Sequence, residues 1–185
     1  MLTESTEMYL ITVYRLTRDR PFASNSDIAT SLGISLSSAS EKIKRLALDG
    51  FLVHESHEGT ALTDKGRQIA LNVVRKHRLI ESFMVTMAGY HIDEVHEEAC
   101  RLEHAISDRL ADALETLLGY PQVDPHGHPI PDKTGDIMAQ DYLPLNEVPP
   151  GEIVTIARVE DLAVVQVEEL SDSERGAGGH GSTGR

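Results

Sequence analysis

The order of the elements predicted for residues 3–63 constrains the fold more than any other feature of this sequence. Three helices are predicted first, because apolar residues recur at helical spacing and capping residues stand at the helix ends. Their ranges are about 3–17, 27–32 and 35–49. The apolar positions of the first are Met8, Tyr9, Ile11, Thr12 and Leu16. Gly33 ends the second helix and opens a tight turn to the third, which indicates a helix-turn-helix.

Two extended segments follow the third helix, at residues 51–55 and 60–63. The four residues between them end in Gly59, and this length is typical of a hairpin loop. Helices followed by a β-hairpin form a winged helix-turn-helix, a domain that binds double-stranded DNA. A long helix is then predicted from the capping residue Thr63 to about Gly89.

The rest of the chain is predicted to be helical at first and irregular or extended later. Further helices are expected from about residue 92 to 108 and over 107–118. The proline-rich segment 125–131 is predicted to be an extended loop, because proline disrupts helices. Strands are expected over 151–159 and 162–168, and a disordered tail without apolar residues from 171 onward. The fold class is therefore mainly α.

The acidic and basic residues are distributed unevenly. The formal net charge of −13 argues against nucleic acid at first sight, because phosphates attract Lys and Arg. Residues 1–78, however, carry 11 Lys and Arg against 9 Asp and Glu, whereas residues 79–185 carry 6 against 21. The first part is thus mildly basic, and the acidic second part could serve a cation. A solvated surface that keeps the protein soluble is the alternative, and charge alone favours it.

The composition excludes several classes of protein. With 40% apolar and 25% charged residues in 185, the chain has an ordinary globular composition. No apolar run approaches the roughly 18 residues of a membrane helix, and no basic flank precedes a secretory core. Cys100 is the single cysteine, so an internal disulfide is impossible and the expected location is cytoplasmic.

Several side chains that bind metals are predicted to share helix faces. At ~100° per residue, one helix presents four of them within a ~100° sector, and the preceding helix carries an i, i+4 pair. They are His96, Cys100, Glu103 and His104, preceded by His77 and Glu81. Any one of them alone is more simply a surface histidine or a buried cysteine. Together they predict a site for Fe²⁺, Mn²⁺, Co²⁺, Ni²⁺ or Zn²⁺, since Mg²⁺ and Ca²⁺ prefer oxygen.

The remaining histidines are left out of the predicted site. His126 and His128 lie in the proline-rich loop, where their spacing is flexible. His54 and His57 belong to the hairpin, and His180 to the tail.

Four segments resemble the metal-dependent repressors typified by the diphtheria toxin repressor and the iron-dependent regulators, a family with a manganese-responsive branch. They are 6–10 (TEMYL), 75–79 (RKHRL), 95–104 (VHEEACRLEH) and 127–131 (GHPIP). The resemblance covers about residues 1–140 and implies a winged helix-turn-helix domain over 1–74 and a helical metal-binding and dimerisation domain over 75–140. A truncated SH3-like segment over 141–170 and a disordered tail over 171–185 complete the expected organisation.

The resemblance also implies two metal sites in each subunit. The regulatory site would consist of Met8, Cys100, Glu103 and His104, and the ancillary site of His77, Glu81 and His96. A regulatory ion would join the DNA-binding domain to the dimerisation domain, so metal affinity would favour the DNA-competent state. The resemblance implies that iron-type members have Cys or Met at the regulatory site, whereas many manganese-type members have Asp or Glu. Met8 and Cys100 therefore favour Fe²⁺ first and Mn²⁺ second, with Zn²⁺, Co²⁺ or Ni²⁺ able to bind in vitro.

The predicted recognition helix carries small polar and basic residues rather than the residues that most often read bases. The candidate DNA contacts are Ser35, Ser37, Ser38, Ser40, Lys42 and Lys44. The serines could donate to bases and phosphates, or Ser37 and Ser38 could serve only as N-cap residues. Two acids depart from the family pattern, Glu41 on this helix and Glu58 in the wing, and either weakens phosphate attraction.

The function expected from these observations is a homodimeric, metal-activated repressor that binds a palindromic operator and controls metal homeostasis genes. No membrane association is expected. A metallohydrolase is disfavoured, because it needs an open coordination position and neither a nucleophile elbow nor a zincin motif occurs. The second alternative is a winged-helix DNA-binding protein whose metal is structural rather than regulatory.

Overall fold

The computed structural model describes residues 2–55, 58–138, 143–144, 147–155 and 157. Within them, six helices and a two-stranded antiparallel sheet follow one another along the chain. Their bounds are α1 (Glu4–Leu16), α2 (Asn25–Leu32), α3 (Leu36–Leu48), β1 (Leu52–Glu55), β2 (Gly59–Leu62), α4 (Asp64–Met87), α5 (Val95–Leu102) and α6 (Asp108–Leu117). The predictions of a mainly α chain, a winged helix-turn-helix and a following helical domain are confirmed.

Most of these helices begin where a hydroxyl side chain accepts a backbone N–H from three residues further on, which satisfies a donor that lacks an intrahelical partner. The N-cap residues are Thr3, Ser24, Ser35, Thr63 and Ser107. Because Ser24 is the cap, α2 begins two residues earlier than predicted.

The winged domain has its own apolar core. Leu10 and Val13 of α1, Ile28 of α2, and Ile43 and Leu46 of α3 are buried in it. The wing is held against this core, since Thr60 of β2 exchanges both backbone hydrogen bonds with Ala23 before α2. Met8 does not belong to the buried face of α1, because it is 39% exposed, although it recurs at helical spacing with the apolar positions of this helix.

The long helix α4 contributes to both halves of the structure. Its Ala70 packs in the core of the winged domain, whereas Leu79 and Ile80 pack against α5, α6 and the following loop. The predicted boundary at residue 74 lies within this continuous helix. Unbroken helical hydrogen bonding therefore joins the winged domain directly to the second domain.

Two predicted elements differ from the structure. The helix expected over about 92–108 is only α5, Val95–Leu102, because the chain turns at residues 103–105 before Ser107 caps α6. The strand predicted over 151–159 is absent from its first part, residues 151–155, which follows two prolines and a turn. Proline donates no backbone hydrogen bond, and no partner strand lies beside this segment in the described residues.

Residues 156, 158 and 159 of that strand, the strand over 162–168 and the tail from 171 lie outside the described residues. Among the residues that are described, no helix is both long enough and apolar enough to cross a membrane.

Candidate metal centre

The buried carboxylate of Glu103 lies between two imidazoles. Its Oε2 is 2.6 Å from Nδ1 of His77 on α4, and its Oε1 is 3.2 Å from Nε2 of His104. Glu103 and His104 stand just after α5, in the turn that replaces the predicted end of this helix. The two residues therefore do not continue the helical face of His96 and Cys100, yet the turn directs the Glu103 side chain toward α4.

The three residues predicted as the ancillary site come together. Glu81 Oε1 lies 2.9 Å from His77 Nε2, one helical turn away, and 3.5 Å from His96 Nδ1. One ligand atom from each of the three residues falls within 4.8 Å of the others. The Glu81 side chain is almost fully buried, so its charge relies on these imidazoles rather than on water.

His77 also belongs to a second group, with Cys100 and Glu103, whose ligand atoms lie within 4.8 Å of one another. Cys100 Sγ is in addition 3.7 Å from His96 Nε2. The predicted regulatory and ancillary ligands are therefore one continuous cluster in this structure, in which His77 and Glu103 connect the two sets. Spacing along single helices cannot reveal that connection, because it depends on how α4 packs against the turn after α5.

The DNA-binding domain contributes to this cluster through α1. Met8 Sδ lies 3.2 Å from Nε2 of His104. On the other side of the same imidazole, Nδ1 lies 2.6 Å from Oε2 of Glu7. Met8 was predicted from the family resemblance, whereas Glu7 was not, although it stands beside Met8 in one of the matching segments.

The histidines and acids of the cluster stabilise each other's charged forms. Burial alone would lower the pKa of His77, but hydrogen bonds with Cys100, Glu103 and Glu81 outweigh it and raise this pKa to about 11. Burial would likewise raise the pKa of Glu81, but hydrogen bonds with His77 and His96 lower it to about 2. In the absence of metal, a proton on His77 therefore balances part of the buried negative charge.

The thiol of Cys100 has the environment of a metal ligand. Hydrogen bonds from His77 and His96 lower its pKa to about 6. The reciprocal hydrogen bond with Cys100, together with one to Glu81, raises the pKa of His96 to about 9. The thiolate, which is the form that binds metals, is thus already favoured at neutral pH.

The donor set fits a divalent transition metal. Among the described residues, the ion-pair partners of the buried Glu81 and Glu103 are histidines, with neither Lys nor Arg among them. Imidazoles can exchange their protons for a metal ion, whereas a permanent Arg counter-ion cannot. A thiolate, a thioether, imidazoles and carboxylates together suit borderline metals such as Fe²⁺, Mn²⁺ or Zn²⁺.

The proline-rich loop adds residues that the sequence-based prediction left out. His126 Nδ1 lies 3.7 Å from Oε2 of Glu81, at the edge of the ancillary group. Asp124, His126 and His128 also form a group of their own within 4.8 Å. In that group Oδ1 of Asp124 accepts the backbone N–H groups of His126 and His128, and Oδ2 lies 3.6 Å from the Arg78 guanidinium. Asp124 therefore organises the loop, and the alternation Asp-x-His-x-His is the pattern that could have drawn attention to it.

The predicted DNA-contacting residues lie along the start of α3. Ser35, Ser37, Ser38 and Lys44 are exposed. Ser35 Oγ accepts the backbone N–H of Ser38 and lies 3.0 Å from Ser37 Oγ, so Ser35 is the N-cap residue. Ser37 and Ser38, for which a capping role was the alternative, are residues of the helix itself.

Ser40 and Lys42 are turned toward the rest of the winged domain. Ser40 Oγ accepts a hydrogen bond from Asn25 Nδ2, and Oδ1 of the same Asn25 side chain accepts one from the Thr60 hydroxyl of the wing. The Lys42 ammonium donates to Thr6 Oγ1 on α1, at 3.3 Å. These contacts connect the recognition helix to the wing and to the helix that carries Met8, while the DNA contacts expected of both residues stay predictions.

Comparison with known proteins identifies both halves of the described structure. Residues 1–60 match the family model of the iron dependent repressor N-terminal DNA binding domain. Residues 63–132 match that of the iron dependent repressor metal binding and dimerisation domain. The two matches meet near the start of α4.

Individual relatives agree with these matches. The diphtheria toxin repressor of Corynebacterium glutamicum is 34% identical over 184 residues, which cover 93% of this chain and 80% of that protein. The iron-dependent repressor IdeR of Mycobacterium tuberculosis is 39% identical over 130 residues, 70% of this chain. The chain spans 56% of the length of that relative.

A solved structure of a manganese-dependent transcriptional repressor in complex with manganese is also similar. It has 40% sequence identity and a TM-score of 0.75, over 84% of this chain and 72% of that one. The arrangement of the winged and helical domains is thus shared with a protein that holds a metal ion.

Proposed function

Because the chain belongs to the iron-dependent repressor family, a family of transcriptional regulators rather than enzymes, we propose that it is a homodimer whose binding to DNA is activated by a divalent metal ion. It represses genes of metal uptake and homeostasis in the cytoplasm. The observation that carries the proposal is the contact between Met8 Sδ on α1 and His104 Nε2 after α5, since it brings a side chain of the DNA-binding domain into the metal-binding cluster.

The regulatory site consists of Met8, Cys100, Glu103 and His104, and the ancillary site of His77, Glu81 and His96. The contacts of His104 with Met8 and Glu103, and the group that Cys100 forms with Glu103 and His77, support the regulatory set. The group of His77, Glu81 and His96 supports the ancillary set. His126 offers a further nitrogen to the ancillary site, as its proximity to Glu81 suggests. Glu103 touches His77 as well as His104, so the two sites influence each other through one carboxylate.

Each part of the chain has a role in the proposed switch. Met8 holds α1 to the second domain, and α1 packs with α2 and α3 in one core, so the recognition helix moves with Met8. A bound divalent ion supplies the coordinate bonds between Met8 and the ligands after α5. Protons leave His77 and its neighbours when these residues become ligands, so the affinity for metal rises with pH.

Fe²⁺ is the proposed physiological metal, with Mn²⁺ second. Met8 and Cys100 supply two sulfur atoms, and sulfur ligands favour iron over the harder manganese ion. The manganese-bound repressor of similar structure supports Mn²⁺ as the alternative. Availability in the cell also selects the metal, so affinity order alone does not decide.

DNA is bound by two winged domains related by a two-fold axis, which suits a palindromic operator. Ser37, Ser38 and Lys44 are exposed at the start and middle of α3, where a recognition helix meets the major groove. Ser35, Ser40 and Lys42 complete the proposed DNA-contacting set. Ser40 can contact DNA only when its hydrogen bond with Asn25 breaks, and Lys42 only when its hydrogen bond with Thr6 breaks. The shape of the DNA is also read, because few side chains of α3 are of the types that can form bidentate hydrogen bonds with bases.

The test is a titration of an operator, selected from random duplexes by the metal-loaded protein, with Fe²⁺, Mn²⁺ and Zn²⁺. Wild type is compared with Cys100→Ala and with the control Arg101→Ala, whose exposed side chain pairs with Glu97 and Glu98. We expect Cys100→Ala to lose most of the metal activation while it stays a folded dimer, and Arg101→Ala to behave as wild type. Unchanged activation in Cys100→Ala would remove this residue from the regulatory site.

The alternative function is a DNA-binding protein with a structural metal. It is favoured if the folded, metal-free protein binds the operator as tightly as the metal-loaded one. A chelator would then leave operator affinity unchanged, whereas the proposed function requires that chelation abolish it.

A further inference from the structure

We propose that Glu7 is a positioning residue of the regulatory metal site, which holds the His104 imidazole so that its Nε2 faces Met8 and Glu103. The inference rests on the proposed function of this site and adds a residue to it.

The two ring nitrogens of His104 have different partners, which indicate different roles: Nε2 is the proposed ligand atom, and Nδ1 is the atom that Glu7 holds. Nε2 faces the Met8 sulfur and a Glu103 oxygen, each at 3.2 Å, so two of the other three proposed ligands approach this nitrogen. Nδ1 points the opposite way and lies 2.6 Å from Oε2 of Glu7. Glu7 is therefore on the far side of the ring from the ligand atoms, and this position excludes it as a fellow ligand of the same ion bound at Nε2.

Hydrogen bonding determines which nitrogen of His104 is available. A carboxylate only accepts hydrogen bonds, so Glu7 and Glu103 compete for the single proton of a neutral His104. The Glu7 contact is the shorter, 2.6 Å against 3.2 Å, and it favours the proton on Nδ1 and the lone pair on Nε2. A metal-binding histidine needs that arrangement, and a carboxylate on the remote nitrogen also makes the imidazole a stronger donor.

Burial makes the contact persistent. The side chain of His104 is 6% exposed and that of Glu7 is 18% exposed, so water competes weakly for either group. Without the Glu7 oxygen, the ring can turn by about half a revolution, which exchanges Nε2 with the carbon Cε1 and removes the nitrogen from its place beside Met8. Loss of a partner of this kind costs about 10- to 100-fold in metal affinity.

The pair also crosses between the domains. Glu7 lies on α1 in the segment that matches the DNA-binding family model, and His104 lies in the segment that matches the metal-binding one. The hydrogen bond between them needs no metal ion, so it aligns α1 with the turn after α5 before an ion binds. Adjacent residues of α1 thus have different roles: Glu7 orients the imidazole, and Met8 supplies a ligand.

The experiment compares Glu7→Leu, which removes the acceptor, with Glu7→Gln, which keeps one oxygen. Glu4→Gln, an exposed change one turn earlier on α1, is the control. Co²⁺ is the probe, and its binding is followed by the absorption of the Cys100–cobalt bond. We expect Glu7→Leu to weaken Co²⁺ binding 10- to 100-fold, and Glu7→Gln and Glu4→Gln to stay within about threefold of wild type.

A readout without metal accompanies the titration. In ¹⁵N NMR spectra at a pH where His104 is neutral, wild type and Glu7→Gln should show the proton on Nδ1, whereas Glu7→Leu should show a mixture of tautomers. Wild-type spectra with the proton on Nε2 would overturn the proposal, as would equal Co²⁺ affinity in Glu7→Leu and wild type. A loss in Glu7→Gln as large as in Glu7→Leu would also overturn it, since the carboxylate charge would then be the essential feature. Failure of wild type to bind Co²⁺ would count against the proposed function, while the NMR measurement would still decide the role of Glu7.

Discussion

Met8 and His104 are separated by 96 residues in the chain, yet Met8 Sδ lies 3.2 Å from His104 Nε2. One of these residues belongs to the first helix of the winged domain and the other to the turn after α5. The cluster of candidate metal ligands therefore includes residues of both domains, and under the proposed function an ion bound there would change how the recognition helix is held.

Substitution of Met8 by leucine tests this relationship. Leucine has nearly the same volume, and Met8 lies outside the apolar core, so the fold should be unchanged. The sulfur is lost as a ligand, so we expect weaker binding of Fe²⁺ and Co²⁺ and a need for more metal to bind operator DNA. Metal titration and circular dichroism on the same samples provide the measurement. The matched control is Met87→Leu, at an exposed position at the end of α4. Identical titrations for wild type and Met8→Leu would contradict the assignment.

The Cys100 thiol should titrate near pH 6 in the metal-free protein, because His77 and His96 lower its pKa from about 9. Thiolate absorbance in the ultraviolet, followed against pH, measures the midpoint directly. Since the folded-state pKa is depressed, the stabilisation from the thiolate is complete above pH 9 and disappears as the pH falls through about 6. His96→Gln removes one hydrogen-bond donor and should move the midpoint upward. A wild-type midpoint above pH 8 would contradict the observed geometry.

Alanine substitutions at Ser35 and Ser37 should distinguish helix capping from DNA contact. Ser35→Ala removes the N-cap of α3 and should lower the free energy of unfolding by about 1 kcal/mol. Ser37→Ala should leave stability within about 0.5 kcal/mol of wild type, because its exposed hydroxyl caps no backbone N–H, but it should weaken operator binding. Urea unfolding and DNA titration of both variants make the comparison. If Ser37→Ala binds the operator as wild type does, Ser37 is not a DNA contact.

Arg75 should be essential for the packing of α6 on α4. Its guanidinium is 2% exposed and lies 2.9 Å from both Asp112 and Glu115. Arg75→Met leaves Glu115 largely buried without its counter-ion, and we expect a loss of about 3–5 kcal/mol in the free energy of unfolding. The matched change Arg101→Met, at an exposed pair, should cost less than about 1 kcal/mol. Urea unfolding at one fixed protein concentration checks both, and similar losses in the two variants would refute the argument from burial.

Substitution of Gly66 even by alanine, the smallest change available, should destabilise the protein. A Cβ at this position would collide with the backbone oxygen of Phe51, so α4 would have to move away from the start of the wing. Alanine normally stabilises a helix by about 1 kcal/mol relative to glycine. We nevertheless expect Gly66→Ala to destabilise the protein by about 1–3 kcal/mol, because close packing leaves no room for the methyl group. Thermal unfolding of Gly66→Ala is compared with that of the control Gln68→Ala, a change at an exposed position of the same helix. A Gly66→Ala protein more stable than wild type would contradict the prediction.

Local patterns were sufficient to predict most of the helices and the proximity of His77 and Glu81. The caps at Ser35 and Thr63 act within three residues, and the pair His77 and Glu81 meets across one helical turn. Such contacts depend only on the backbone geometry of a single element, so spacing along the chain predicts them. The same geometry could not predict that α5 ends at Leu102, because the turn after it is accompanied by the contact of Glu103 with His77 on α4 and by the Ser107 cap of α6.

The sequence by itself determined which residues can coordinate a metal and which segments can read DNA. Tertiary structure alone decided which of them meet: Glu103 against His77, Glu7 behind the His104 imidazole, and His126 beside Glu81. The physical reason is that these contacts join side chains 26 to 97 residues apart in the chain, and such distances are set by how apolar faces pack rather than by any local rule.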